Sequence, residues 1–142
     1  MNLQKPLLVM VCSLAALSAG AQSITFAEIS GTDAKPLSAA ELKDLVSGAK
    51  TEMTMPRGAQ RRWTNLPDGT FLASRTNGDL KRRNGSGTWS VKEDATYCLN
   101  FDWGSMDTEA RCTTLYKVDK KYHAFGADPK PETPSSQFEF SR

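Results

Sequence analysis

Residues 88–103, TWSVKEDATYCLNFDW, decide the fold of this chain. Large apolar side chains alternate with polar ones on both sides of a central Glu-Asp pair, and a period of two is typical of half-buried strands. Pairing Val91 with Tyr97 and Trp89 with Leu99 brings the two apolar faces together across a tight turn. The stretch therefore predicts an antiparallel hairpin whose inner face belongs to the hydrophobic core.

Short alternating segments continue in both directions from this hairpin, separated by turn residues. The predicted strands are 49–55, 60–65, 70–76, 88–92, 95–103, 109–118, 122–125 and 137–142. In the pair 109–118 and 122–125, Tyr116 and Val118 are expected to face Ala124 and Tyr122. The dipeptides Asn84-Gly85 and Ser86-Gly87 are interpreted as turns. The proline-rich segment 126–136 is expected to be extended and unpaired.

One helix is predicted before the strands. Ser38 is followed by Glu41 at the spacing of a capping box, Leu42 and Val46 fall on one face, and Gly48 ends the pattern. Residues 22–35, with a short apolar patch at Ile24, Phe26 and Ile29, are interpreted as an N-terminal strand or a tether. The predicted fold class is α+β, mainly antiparallel β. One short N-terminal helix at about 38–47 packs on a seven- to eight-stranded meander, half-barrel or barrel.

Residues 1–21 have the features of a secretory signal peptide. Lys5 precedes the apolar run Leu7–Leu17, and Ala19-Gly20-Ala21 supplies small residues at a cleavage site. The run is shorter than the roughly 20 residues that cross a membrane. We therefore expect a signal peptide at 1–21 and a single β-rich domain at 22–142, without a transmembrane segment after cleavage. The expected location is periplasmic or secreted.

Two cysteines, Cys98 and Cys112, remain in the expected mature chain, and export favours their joining in a disulfide. Such a bridge stabilises the fold by roughly 3 kcal/mol in the chain-entropy model. Direct pairing of the two cysteines would place Leu99 opposite Arg111, an apolar side chain against a charged one. A bulge within 102–109 is expected to reset the register and avoid this pairing.

The composition excludes several kinds of catalytic site. His123 is the only histidine, so a multi-histidine metal site is impossible and serine or cysteine catalysis would depend on one ring. No nucleophile elbow accompanies it, and it is interpreted as a partly exposed strand residue. We expect no catalytic residues, no metal site and no cofactor. The net charge of +2 gives little attraction to nucleic acid, which is an unlikely partner.

Opposite charges are concentrated in two neighbouring stretches. Residues 57–83 carry seven arginines and lysines against two aspartates, and residues 93–109 carry five acidic residues and no basic ones. The candidate surface for an anionic partner consists of Arg61, Arg62, Trp63, Arg82 and Arg83, with Trp63 as an exposed anchor. The alternative is a solvated edge whose charges prevent strands from aggregating. A calcium site in the acidic stretch has no matching ligand spacing.

Several short motifs occur in a familiar order: Leu37–Leu42, Leu66–Thr70, Gly87–Val91, Tyr97-Cys98, Cys112 and Tyr116–Val118. In this order the chain resembles small exported proteins of Gram-negative bacteria that are classed as domains of unknown function. The resemblance covers most of residues 37–125 and implies a periplasmic or secreted β-rich domain without assigned catalytic residues. In size and compartment the chain is also similar to the periplasmic lysozyme inhibitors, although their inhibitory loop pattern is not found.

These observations favour a non-enzymatic binding or interaction module of the bacterial envelope. An inhibitor of a hydrolase such as lysozyme is the alternative function. A small hydrolase and a lipocalin-like carrier rank below these two. A barrel that encloses a ligand-sized cavity would favour the carrier, and a filled interior would favour binding at the surface.

Overall fold

The computed structural model describes residues 23–78 and 81–142, so the predicted signal peptide lies outside the described residues. Within these ranges, eight antiparallel strands follow one another around a closed barrel. They are β1 (Lys50–Thr54), β2 (Gln60–Thr64), β3 (Thr70–Thr76), β4 (Arg82–Val91), β5 (Tyr97–Asp102), β6 (Thr108–Val118), β7 (Lys121–Phe125) and β8 (Ser136–Ser141). The predicted α+β barrel is confirmed, and pairing of β1 with β8 closes it. Closure leaves no unpaired edge strand.

The hairpin predicted from residues 88–103 is present with the predicted register. Val91 pairs with Tyr97 and Trp89 pairs with Leu99 between β4 and β5. Tyr97 and Leu99 are completely buried, whereas Trp89 is half-buried at the margin of the core. Local alternation was enough to place this hairpin because each strand has one clearly apolar face.

The interior of the barrel is filled with large side chains. Trp63, Phe71, Phe101, Phe138 and Leu115 pack there with other buried residues. The ring of Trp63 lies 5.7 Å from that of Phe71, 5.3 Å from that of Phe101 and 6.1 Å from that of Phe138. A core of this kind stabilises the barrel through apolar burial and aromatic contacts. The sequence left open a barrel with a ligand-sized cavity or one with a filled interior, and the filled interior found here favours ligand binding at the outer surface.

Two helices occur in the described residues, α1 (Phe26–Ser30) and α2 (Ala39–Val46). Helix α2 confirms the prediction, because Ser38 and Glu41 form the expected capping box. Its Leu42 and Val46 are completely buried and cover one end of the barrel, which we call the helix end. At that end the amide of Asn65, also completely buried, donates to the carbonyl of Val46 at 2.8 Å.

Helix α1 lies within residues 22–35, where a strand or a tether was expected. Thr25 and Glu28 form a second capping box, a signal that the short apolar pattern had obscured. The segment 126–136 is tied to this helix: Phe26 donates its backbone N–H to Thr133, and Ser135 donates to Ile24. Packing against the proline-rich segment therefore stabilises a helix that is too short to form alone.

The interpretation of Asn84-Gly85 and Ser86-Gly87 as turns is wrong. Both dipeptides lie inside β4, which pairs with β3 and β5 along its length. A Cβ atom on Gly87 would collide with the Phe71 ring and the Asn100 carbonyl, and one on Gly85 with the Trp103 ring. The glycines therefore let aromatic rings occupy the space that side chains of β4 would fill.

Two expectations about register are also wrong. Strands β6 and β7 pair Leu115 with Ala124 and Lys117 with Tyr122, one residue away from the expected alignment, because only residues 119 and 120 form the turn. No bulge interrupts the pairing of β5 with β6, and Leu99 lies directly opposite Arg111. The disulfide between Cys98 and Cys112 is present and crosses these two strands. Arg111 therefore lies on the face that carries Leu99, inside the barrel.

No helix in residues 23–78 or 81–142 is long and apolar enough to cross a membrane.

Candidate functional site

Two of the five residues proposed as an anionic-partner surface are buried. Trp63 is 4% exposed and Arg61 is 6% exposed, so the expectation of a surface anchor at Trp63 is wrong. The alternation of β2 explains this result, since Arg61 and Trp63 both point inward while Arg62 between them points outward. The indole N–H of Trp63 donates to Asn65 at 2.9 Å inside the barrel. The other three candidates, Arg62, Arg82 and Arg83, are exposed.

Arg62 is engaged on the outer surface by an acidic neighbour. Its Nε donates to one carboxylate oxygen of Glu52 at 2.8 Å, and its Nη2 donates to the other at 3.2 Å. This hydrogen bond raises the pKa of Arg62. The pair borders a surface groove of about 680 Å³ whose lining also includes Lys50, Arg82 and Glu139. The lining of this groove therefore carries both signs of charge and is not a purely cationic surface.

A cluster of arginines occupies the end of the barrel opposite α2. Arg61 pairs across the sheet with Arg75, and Arg111 points inward from β6. One carboxylate, that of Glu109, bridges two of them: Arg61 Nη2 lies 3.3 Å from Oε2, and Arg111 Nη2 lies 2.7 Å from Oε1. We call this region the arginine end and define it by Arg61, Arg75, Arg83, Arg111, Asp107 and Glu109. Buried charges of this kind require close partners to offset the loss of hydration.

Trp103 provides the surface on which two of these guanidinium groups lie. The guanidinium carbon of Arg75 is 4.7 Å from the centre of the ring system, and that of Arg61 is 5.5 Å away. The indole itself stacks on Phe101 at 5.2 Å. Cation–π contacts hold arginine side chains in defined positions without neutralising their charge. The arginine end is therefore ordered by the aromatic core beneath it.

Asp107 reaches the cluster from the loop between β5 and β6. Its carboxylate forms ion pairs with Arg75 and, at 3.5 Å, with Arg83. The hydrogen bond from Arg75 is the main reason that the pKa of Asp107 is lowered, and the charges of Arg83 and Arg61 act in the same direction. Asp107 therefore remains ionised well into the acidic range.

The loop that carries Asp107 projects from the barrel. Gly104, Ser105 and Met106 all have positive φ, and Met106 is 98% exposed. Two backbone hydrogen bonds close the loop, from Trp103 to Asp107 and from Asp107 to Gly104, each at 2.9 Å. The exposed Met106 thus precedes Asp107, whose carboxylate pairs with the exposed guanidinium of Arg83.

Three buried N–H groups at the arginine end find no acceptor among the described residues. They are the Nε groups of Arg75 and Arg111 and the indole Nε1 of Trp103. Among the described residues, Arg61, Arg75, Arg83 and Arg111 form ion pairs with only two carboxylates, those of Asp107 and Glu109. The site therefore has both positive charge and hydrogen-bond donors in excess, a combination that suits an anionic group.

The sequence predicts Arg61 and Arg83 as site residues, but it does not identify Arg75, Arg111, Asp107 or Glu109 as members of the same site. Arg75 lies in the basic stretch, and Glu109 and Asp107 lie in the acidic one. The pairing of Leu99 with Arg111 is the sequence signal that a charged residue enters the barrel. The two oppositely charged stretches meet at this site, which spacing along the chain does not reveal.

His123 is buried rather than partly exposed. It is 4% exposed, and its Nδ1 lies 3.0 Å from the hydroxyl oxygen of Ser135, a residue that is itself completely buried. Burial lowers the pKa of His123, and the charge of Lys121 lowers it further. The buried serine hydroxyl is not accessible to a substrate. Its contact with His123 instead holds segment 126–136 against β7. Within the described residues, no cluster of histidine, cysteine and acidic residues suits a metal ion.

Residues 10–124 match the model of a family described as "Protein of unknown function (DUF995)", and the chain belongs to this family. No curated protein and no solved structure matches the chain.

Proposed function

We propose that this member of the DUF995 family is an exported, non-enzymatic binding module of the bacterial envelope that binds an anionic partner at its arginine end. The observation that carries the proposal is the cluster of Arg61 and Arg75 on Trp103 and of Arg111 beside Arg61, in which the described residues supply fewer paired carboxylates than guanidinium groups. Exposed Arg57, Arg82 and Lys81 extend the positive surface at the same end of the barrel.

The expected location rests on two features. The sequence pattern of residues 1–21 is that of a secretory leader, and the Cys98–Cys112 disulfide is compatible with an oxidising compartment. Binding rather than catalysis is supported by the burial of the chain's only histidine against Ser135. The filled barrel gives no support to a lipocalin-like carrier.

The arrangement suits a binding surface in electrostatic terms. Exposed charges of one sign accelerate the approach of an oppositely charged partner and orient it. Buried guanidinium groups, already positioned on Trp103, give up little conformational entropy when they bind. The opposite end of the barrel, covered by α2, has no comparable group of arginines in the described residues.

The proposal is tested by reversing charges at either end. The variant Arg57→Glu/Arg82→Glu/Arg83→Glu changes exposed side chains of the arginine end, and Lys92→Glu/Lys120→Glu/Lys121→Glu makes the same change in net charge at the helix end. Immobilised proteins are incubated with envelope extract and the captured components are quantified by mass spectrometry. We expect the first variant to lose about tenfold or more of specifically captured material, and the second to resemble wild type. Equal capture by all three proteins would contradict the proposal.

A second candidate function, inhibition of a hydrolase such as lysozyme, is favoured by the projecting loop. Met106 is an exposed apolar tip beside a cationic surface, and the clefts of glycoside hydrolases contain paired carboxylates. Lysozyme activity is measured with a stoichiometric excess of the mature protein. Inhibition that is weakened by Met106→Asp, but not by the matched Leu72→Asp on the outer surface, would support this function. Absence of inhibition by the wild-type protein would exclude lysozyme as the target.

A further inference from the structure

The arginine end contains two carboxylates that differ in how they are held. Glu109 belongs to β6 and bridges Arg61 and Arg111 from within the strand. Asp107 belongs to the loop that follows β5, and its side chain is 40% exposed, about twice the exposure of Glu109. Glu109 is thus part of the barrel, whereas Asp107 approaches the arginines from outside.

The guanidinium group that Asp107 contacts is incompletely satisfied. Arg75 Nη2 donates to Asp107, but its Nε is buried without an acceptor among the described residues. Arg75 as a whole is 8% exposed, so more than nine-tenths of it is buried. The Nε of Arg111 and the Nε1 of Trp103, at the same end, are also buried without an acceptor among the described residues. A single loop carboxylate therefore uses only part of the available donors.

We propose that the arginine end is a carboxylate-binding site in which Asp107 occupies the position of the ligand's carboxylate until a ligand displaces it. This inference rests on the proposed function and specifies the anionic group that is recognised. A guanidinium group and a carboxylate match in their planar geometry and form two parallel hydrogen bonds, including one from Nε. Displacement of Asp107 lets the incoming carboxylate engage Arg75 through Nε as well as Nη2.

Other features of the site fit this exchange. Trp103 keeps Arg75 and Arg61 in place when Asp107 leaves, because their contacts with the ring do not involve the loop carboxylate. Arg83 is exposed and already within 3.5 Å of Asp107, so it is placed to contact the group that carries the ligand's carboxylate. Exchange of one carboxylate for another leaves the charge inside the barrel unchanged and requires only that the Asp107 side chain turns outward, while the backbone hydrogen bonds of its loop stay in place.

The experiment uses purified mature protein and two probes, sodium acetate as a free carboxylate and poly-L-glutamate as a carboxylate carried on a chain. Binding is followed by calorimetry and by tryptophan fluorescence, with sodium chloride at the same ionic strength as the reference. The variant Asp107→Asn removes the internal competitor, and Asp119→Asn removes one negative charge from the exposed β6–β7 turn as a matched control.

We expect Asp107→Asn to strengthen binding of at least one probe about tenfold, with Asp119→Asn close to wild type. Arg75→Gln, in a protein whose folding is verified by circular dichroism, is expected to weaken the same binding by a similar factor. A response to acetate identifies a site for free carboxylates, and a response to poly-L-glutamate alone identifies one that requires a chain. The proposal is overturned if the Asp107 and Asp119 variants bind alike, or if neither probe binds better than chloride.

The proposed function and the carboxylate site can be contradicted independently of each other. Loss of envelope capture in the Arg57/Arg82/Arg83 variant concerns the exposed surface and an endogenous partner. The comparison of Asp107→Asn with Asp119→Asn concerns the interior of the site and a defined probe. If the carboxylate probes bind as expected but no envelope component is captured, the carboxylate site stands and the proposed function is contradicted.

Discussion

Glu109 offsets the loss of hydration of the buried arginines in this barrel. Its two oxygens accept from Arg61 and Arg111, which enter the interior from β2 and β6. We predict that Glu109→Gln lowers the free energy of unfolding by about 3 kcal/mol, because it leaves two guanidinium groups without a charged partner. Asp107→Asn, on the more exposed loop residue, should cost clearly less, because solvent screens its ion pairs. Urea unfolding of both variants measures the difference, and equal losses would contradict the distinction between them.

His123 makes the stability of the fold sensitive to mildly acidic pH. Its pKa is lowered by burial and by Lys121, so the unfolded chain takes up a proton more readily than the folded one. The resulting stability is fully present above the ordinary pKa of about 6.5 and is lost as the pH falls below it toward the folded value. Asp107 and Asp68, whose pKa values are lowered, stay ionised in this interval.

We therefore predict that the free energy of unfolding falls between about pH 7.5 and about pH 5.5, by no more than about 1.4 kcal/mol per pH unit from this residue. The protein with His123→Gln should show a flatter profile over the same interval. Urea unfolding at each pH is the measurement. A wild-type profile as flat as that of the variant would show that His123 does not carry this pH dependence.

At the scale of the elements, β4 depends on glycine in order to pack against the core. The Phe71 ring occupies the place where a side chain at position 87 would lie. Gly87→Ala is predicted to destabilise the barrel by roughly 1–3 kcal/mol, since the added methyl forces the ring or the strand to shift. Gly126→Ala, where no atom lies within 4 Å of the new Cβ, is the matched control. Thermal unfolding compares the two, and a similar small effect of both would show that β4 has room for a side chain.

The disulfide acts at the same scale, by connecting β5 to β6. Cys98 and Cys112 are 14 residues apart and directly paired. Replacing both by serine should lower the free energy of unfolding by about 2–4 kcal/mol, chiefly because the unfolded chain gains freedom. Trp103 and Asp107 lie in the loop between these strands and Glu109 lies in β6, so we also expect weaker binding near the midpoint of unfolding. Denaturant unfolding of the wild type and of the Cys98→Ser/Cys112→Ser variant provides the comparison, and equal free energies of unfolding would contradict the prediction.

For the molecule as a whole, the barrel could be predicted from the sequence because most of its strands have one apolar face. The 88–103 hairpin was placed in its correct register for this reason, and α2 was recognised by its capping box. The glycines of β4 were misinterpreted because their role depends on rings contributed by β3 and the loop after β5. The local sequence pattern of β4 does not show which side chains from other elements pack against its glycines.

The candidate site was predicted only in part, for a similar reason. Charge density identified the basic stretch, but alternation in β2 divides Arg61 from Arg62 and sends one into the barrel and the other to the surface. Arg111 and Glu109 come from β6, far along the chain, and join Arg61 only when the barrel closes. Residues brought together by closure of a barrel share no spacing that a sequence pattern could reveal.

The central claim is that anionic groups bind at the arginine end, and amide chemical-shift mapping by NMR tests it most directly. The ¹⁵N-labelled protein is titrated with poly-L-glutamate at constant ionic strength. Binding at the arginine end should give the largest shifts at Arg75, Arg83 and residues 103–109, together with the indole N–H of Trp103, and small shifts at the helix end. Shifts centred on Lys92 and Lys120–Lys121, or spread evenly over the surface, would contradict it.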